Sequence, residues 1–180
     1  MCIVIDTNTL SKVFKNTDKK HSDFKPVLEW IKEGNGKIIV GGTTFNNELF
    51  EEVQWFIKAY RLLKQYNKVV EIDKKKVDTR EKWVKSQIQD KDFDDPHIIA
   101  LIGISGCKLL CTGDTRSFRF VHDKKLYPKG KLPPSIYTKA KNKDLLCDNN
   151  LAPCCKPKVK LTNAVKANLT LQNLTQITGN

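Results

Sequence analysis

The chain has 180 residues, 39% of them hydrophobic and 29% charged, which suits one domain with a buried core and is too short for two complete ones. No apolar run approaches the ~20 residues that cross a bilayer. The N-terminus has no basic stretch leading into an apolar one, so neither a membrane nor a secreted protein is expected and the cytoplasm is.

Thirty-two Lys and Arg against twenty Asp and Glu give a formal net charge of +12, which favours a polyanionic partner, RNA or DNA before an acidic protein. The excess is spread through "DKKHSDFK", "DKKKVDTREK" and "DKKLYPKGK", and the sequence does not show whether it gathers on one face.

The chain opens on "MCIVIDTNTL". Cys2, Ile3, Val4 and Ile5 read as a strand buried on both faces, as in parallel sheets, and the strand ends in Asp6. Thr7 or Asn8 is placed to cap a short helix over about Leu10 to Phe14. A second helix fits Asp23 to Glu33, with Pro26 in its first turn and Gly34 and Gly36 ending it. "KIIVGG" predicts the second strand. The next segment, "TTFNNELFEEVQWFIKAYRLLKQY", predicts one long helix capped by Thr43 or Thr44, because Phe45, Leu49, Val53, Phe56, Tyr60 and Leu63 recur at helical spacing. "KVVEID" is a third strand, and a helix follows from about Lys74 to Gln89. "DDPHIIALIGISG" starts another helix, with Asp94 or Asp95 as cap, Pro96 in the first turn and Gly106 as the stop. "CKLLCTGD" is a strand delivering Asp114, and "PPSIYTKAK" is a last edge strand with prolines at its entrance.

Strands alternating with helices predict an α/β fold, a three-layer α/β/α sandwich with a mostly parallel central sheet over residues 1–140. Residues 141–180 read as a C-terminal extension, flexible or partner-docking, with "CDNNLAPCCKPK" as a loop and a Thr- and Asn-rich tail beyond it. The six cysteines are expected to be reduced. Cys2, Cys107 and Cys111 lie in apolar runs and read as small hydrophobes. Cys147 with Cys154 and Cys155 could hold a metal, but the spacing lacks the paired C-x-x-C of a zinc ribbon.

Four acids stand at element boundaries or early in helices: Asp6, Glu48, Asp95 and Asp114. Each alone can be a cap, a turn residue or an exposed helix acid. Together they point to the carboxyl end of one sheet, where ligands of such folds bind. Carboxylates a few ångströms apart raise one another's pKa unless a cation offsets them, so their convergence calls for Mg²⁺ or Mn²⁺. Such a centre, inside a basic surface, suits phosphodiester hydrolysis. Thr7, Asn8 and Thr112 can orient ligands or water. Arg116 has the donor fork for a phosphate. His97 reads as a packing or surface histidine, and Asp92 and Asp94 rank below Asp95 as ligands.

These stretches resemble the PIN-domain nucleases. "IVIDTNTL" is similar to their opening strand, "TTFNNEL" to their second motif, "DPHIIAL" to the Asp that opens an apolar helix, and "LLCTGDTRSF" to the strand ending in Thr-x-Asp. The motifs occur in the expected order as far as about Ser117. The resemblance implies a metal-dependent endoribonuclease using Asp6, Glu48, Asp95 and Asp114 as metal-binding acids. It also implies the toxin of a toxin–antitoxin or defence system, with a cognate antitoxin or inhibitor protein as partner; a homodimer is compatible with it. The fourth motif often carries another acid two residues after its Asp, where this chain has Arg116, which puts a second metal in question. Two other readings compete. One is a module that binds RNA or a protein partner without catalysis. The other is a haloacid-dehalogenase-like phosphatase with Asp6 as nucleophile, against which stand Asn8 and Phe118 where that family places acids.

Overall fold

The computed structural model describes residues 2–150 and 152–155. Five parallel strands form one sheet: β1 (Cys2–Ile5), β2 (Lys37–Gly41), β3 (Val69–Ile72), β4 (Leu109–Cys111) and β5 (Ser135–Tyr137), in the order β3-β2-β1-β4-β5. All four residues of β1 are buried, as a central strand covered on both faces requires. Its register sets Val4 beside Ile39 on one side and beside Leu110 on the other. The α-helices are α1 (Leu10–Phe14), α2 (His21–Glu33), α3 (Thr43–Asn47), α4 (Ile57–Gln65), α5 (Lys74–Gln87), α6 (Pro96–Ser105) and α7 (Phe118–Val121).

The chain leaves β1 toward β2 and β3, then crosses back to place β4 on the other side of β1. Right-handed crossovers in opposite directions put their helices on opposite faces of the sheet. The α1–α2 pair and the tightly packed α5–α6 pair accordingly form the outer layers of a three-layer α/β/α sandwich. The reversal of strand order lies between β1 and β4, and open α/β sheets bind ligands in the crevice at such a point.

The predicted long helix from Thr43 onward is broken. After α3 comes one wide π-type turn, Glu48–Glu52, closed by the Val53 amide on the Glu48 carbonyl at 3.1 Å, then a 3₁₀ turn, Gln54–Phe56, before α4 resumes. Phe45, Leu49, Phe56, Tyr60 and Leu63 are buried as their spacing suggests. Neither threonine caps α3, however. The residue before the helix is Gly42 at φ +85°, and a Cβ there would meet Val77 Cγ1 at 2.6 Å. The Thr43 amide and hydroxyl both donate to Asp78 on α5, each at 2.6 Å.

Other elements follow their signals with small shifts at the ends. α2 begins two residues earlier than expected, at His21, and α5 ends at Gln87. Gly106 closes α6 in the left-handed conformation, at φ +66°. The turn Ala140–Leu145 packs on α2, and Ala152 and Cys155 are fully buried; the Thr- and Asn-rich tail lies outside the described residues. Among the described residues no helix is long and apolar enough to cross a membrane.

The expectation of six reduced cysteines is not met. Cys2, at the start of β1, is disulfide-bonded to Cys155, whose Cα lies 6.1 Å away. The third sulfur beside this bond belongs to Cys154, 3.7 Å from Cys155 Sγ, and the group is Cys2, Cys154 and Cys155 rather than the expected set with Cys147. The signal was hidden by a sequence separation of 153 residues. Restricting so long a loop in the unfolded chain stabilises the fold by about 2–5 kcal/mol. Dithiothreitol should therefore lower the thermal midpoint of the wild type and leave that of Cys155→Ala unmoved; equal midpoints with and without reductant in the wild type would refute the clasp.

Candidate functional site

The site is built where β1 and β4 end side by side. The Asp6 amide donates to the Cys111 carbonyl at 3.0 Å, extending the parallel pairing one residue past β1. The carboxylate is only 3% exposed and uses both oxygens: Oδ1 accepts from the Asn8 amide at 3.1 Å and Oδ2 from the Thr112 hydroxyl at 2.6 Å. Asp6 thus caps the 3₁₀ turn Thr7–Thr9 that leads into α1, the capping role its position also offered, and neither Thr7 nor Asn8 caps α1. Burial pushes its pKa up, against the pull of Thr112, Asn8 and His97, and the charge of Glu48 adds to the rise.

Glu48 reaches the same end of the sheet from the wide turn after α3. The Thr7 hydroxyl donates to its Oε2 at 2.7 Å, and His97 Nε2 stands 3.4 Å from the same oxygen. Burial opposes ionisation of Glu48, but His97 and Thr7 outweigh it and hold the carboxyl below its ordinary range. His97 is 2% exposed, and neither ring nitrogen makes an aligned hydrogen bond. Burial disfavours its charged form, yet Glu48, Asp95 and Glu81 together raise its pKa. It is buried against Phe45, the packing place expected of it, and it also stands beside the Glu48 carboxylate. Its place two residues after Asp95, at the start of a helix, was the signal for this.

Asp95 holds the N-cap position of α6, but its side chain makes no capping hydrogen bond. Burial first, then the charges of Asp6, Asp94 and Glu48, raise its pKa to about 6 against the opposing effect of His97. Asp95 and Asp6 line one small cleft with Thr112 and Ser117; its volume of about 10 Å³ is room for a single water-sized species. Carboxylate oxygens of Asp94, Asp95 and Asp114 all lie within 4.8 Å of one another.

Asp114 sits three residues past β4, and its amide donates to Thr112 Oγ1 at 3.0 Å. Arg116 grips its carboxylate through Nε at 3.1 Å and Nη2 at 3.0 Å, while the Arg116 amide bonds Oδ1 at 2.9 Å. That grip holds the Asp114 carboxyl below the usual range. Arg116 Nη2 also stands 3.6 Å from Asp94, so the guanidinium bridges two acids of the cluster. Asp92 belongs elsewhere: with Asp90 it pairs with Arg119. Asn8 contributes its backbone amide to Asp6, and its side chain is exposed.

The donor set consists of carboxylate oxygens, the ligand type of Mg²⁺ and Mn²⁺. Opposite ligands around a cation at 2.0–2.1 Å are about 4 Å apart, close to the spread of the Asp94, Asp95 and Asp114 oxygens. A carboxylate at a helix start that caps nothing, with its ionisation suppressed by burial and three acidic neighbours, fits a cation ligand. No family model, curated protein or solved structure matches this chain.

The strain at Asp95 has a sign that can be measured. A carboxyl whose pKa is raised on folding stabilises the fold most below about pH 4, and that contribution is lost as the pH rises through about 6. In metal-free protein, Asp95→Asn should therefore gain stability relative to wild type between pH 4 and pH 7, by about 1–2 kcal/mol after discounting for partial exposure. Urea unfolding in EDTA at both pH values checks this, and a difference that stays constant with pH would contradict it.

Proposed function

We propose that this chain is a divalent-metal-dependent endoribonuclease of the PIN-like kind. The observation that carries the reading is the gathering of acids from separate segments at the β1/β4 reversal, with Asp95 raised to about 6 and capping nothing. Asp94, Asp95 and Asp114 would hold the Mg²⁺ or Mn²⁺, with Asp6 lining the same cleft as Asp95 and Glu48 beside them. When bound, the ion supplies Lewis-acid stabilisation of phosphoryl oxygens and a more acidic water at neutral pH.

The protein's own groups have separable tasks. Thr112 and the Asn8 amide fix the Asp6 carboxylate, and Thr7 with His97 keeps Glu48 ionised and aimed. Arg116 spends its Nε and Nη2 on Asp114, and its remaining donors, exposed at the rim, would meet a phosphodiester. With water as nucleophile the products carry a 5′-phosphate. The basic composition supports a nucleic-acid substrate, RNA ahead of DNA. The resemblance in the sequence motifs supports a toxin or defence role with a cognate inhibitor.

Asp6 is poorly suited to be a phosphatase nucleophile, because both of its oxygens are engaged and it is almost wholly buried. The non-catalytic alternative gains from one feature, the Arg116 guanidinium that pairs with both Asp114 and Asp94.

Labelled single-stranded RNA and DNA incubated with Mn²⁺, Mg²⁺ or EDTA separate these readings. The wild type should cut RNA only with metal and leave 5′-phosphate ends, and Asp95→Asn should lose at least 100-fold in rate, as removal of a charge-stabilising group does. Metal-independent cleavage, equal rates in the two proteins, or 2′,3′-cyclic phosphate ends would each overturn the mechanism. Failure of the wild type to cut while it still binds RNA would favour the non-catalytic module.

A further inference from the structure

The two acids within α5 are both engaged by α3. Asp78 accepts from Thr43, and the 8% exposed Glu81 accepts from the Thr44 hydroxyl at 2.9 and 3.0 Å. A shallow groove of about 500 Å³ along α5 is lined by Lys75, Lys76, Thr79, Arg80, Trp83 and Ile104, and no acid lines it.

Two side chains of the groove, Arg80 and Trp83, are already organised as a platform. The Arg80 guanidinium lies 3.8 Å from the centre of the Trp83 ring, and its Nη2 is tied to the Leu126 carbonyl at 2.7 Å, so the cation is fixed over the indole. Trp83 nonetheless remains 39% exposed, one of three large hydrophobic side chains on the surface of the described residues. A stacked Arg–Trp pair with exposed aromatic surface, next to lysines without acidic neighbours in the groove, has the chemistry that takes an unpaired base and its phosphates.

The groove reaches α6 at Ile104, at the other end of that helix from Asp95. Lys75 and Lys76 begin α5 just past the carboxyl end of β3, the same end of the parallel sheet at which Asp6 leaves β1. Two strand spacings separate β3 from β1, roughly 10 Å. From Lys75 to Trp83 the helix runs a further 12 Å or so.

We infer that the Lys75–Trp83 face of α5 is a binding surface for single-stranded RNA, with phosphates on Lys75 and Lys76 and a base against Trp83. This rests on the nucleic-acid reading above, but it concerns a surface apart from the acids. Single strands are the fitting class, because an indole can stack only on a base that is free of its pairing partner. An acidic protein segment would satisfy the lysines and leave the Arg80–Trp83 platform without a matching group.

The test measures binding in EDTA, so that cleavage plays no part, using fluorescently labelled 12-nucleotide oligouridylate and the full chain. Trp83→Ala should weaken binding roughly 5- to 100-fold, the range for losing one base stack, and Trp83→Phe should recover most of it. Lys75→Gln with Lys76→Gln should flatten the slope of log K against log salt by about 1.4, twice the single-strand value per phosphate contact. The exposed pair Lys19 and Lys20, changed to Gln, serves as the control and should leave the slope within about 0.3 of wild type.

Wild-type affinity and slope in both α5 variants would overturn the inference, as would an equal change of slope in the control pair. Tighter binding to a 12-base-pair duplex, or polyglutamate competing as well as oligouridylate at equal charge, would also overturn it, the latter in favour of an acidic protein. Because no metal is present, loss of the nuclease reading appears as absent cleavage in the earlier assay and leaves this result standing.

Discussion

Everything at the carboxyl end of the sheet is referred to one short contact, the Thr112 hydroxyl on the Asp6 carboxylate at 2.6 Å. It joins the last residue before the first crossover to the first residue after β4, 106 positions away in sequence. A buried, ionisable side chain at this joint is costly unless its oxygens are satisfied, and Thr112 and the Asn8 amide satisfy one oxygen each. The same threonine oxygen accepts from the Asp114 amide, so one hydroxyl sets the height of two acids together. The remaining acids arrive from elements that pack on this joint: Asp95 is raised by burial and then by the charge of Asp6, whereas Glu48 is held down by His97 and Thr7 and Asp114 by Arg116.

Much of this was legible in the sequence, for identifiable reasons. β1 was readable because it is apolar on both faces and ends abruptly in a charge, which only a central parallel strand explains well. α6 was readable because Asp95-Pro96 and Gly106 bracket it with chemistry that has few other uses. The order of the acids along the chain then placed them at one end of the sheet. The break after α3 was not readable: the apolar stripe runs on through Val53, and no glycine or proline interrupts it. What opens that helix into a wide turn coincides with Glu48 being held by Thr7 and His97, residues 41 positions before it and 49 after it. Such turns within helices recur at functional sites, where one extra residue re-aims a side chain.

Charge shows the same division between local and distant information. The grip of Arg116 on Asp114 spans two residues and could be suspected from "GDTR", whereas its reach to Asp94 depends on how the loop before α6 folds back. The basic excess looked evenly scattered because sequence counts acids that the fold engages in hydrogen bonds. Asp78 and Glu81 are engaged by Thr43 and Thr44, and the groove that Lys75, Lys76 and Trp83 line on α5 has no acid in its lining.

The bond between Cys2 and Cys155 changes the connectivity of the molecule itself. With it closed, the chain from the central strand to the last described turn is a ring rather than a thread. Between those two cysteines a single peptide cleavage opens the ring without dividing it, and the fragments stay in one covalent piece. A nick in an exposed segment such as Lys129–Leu132 would leave β5 tied to β1, and through it to the strands and acids before the cut, by a route that does not pass through the cut. In the reduced protein the same nick would rely on packing alone. Tolerance of surface damage is thus tied to the oxidation state of two sulfurs at the opposite end of the sheet from the acids.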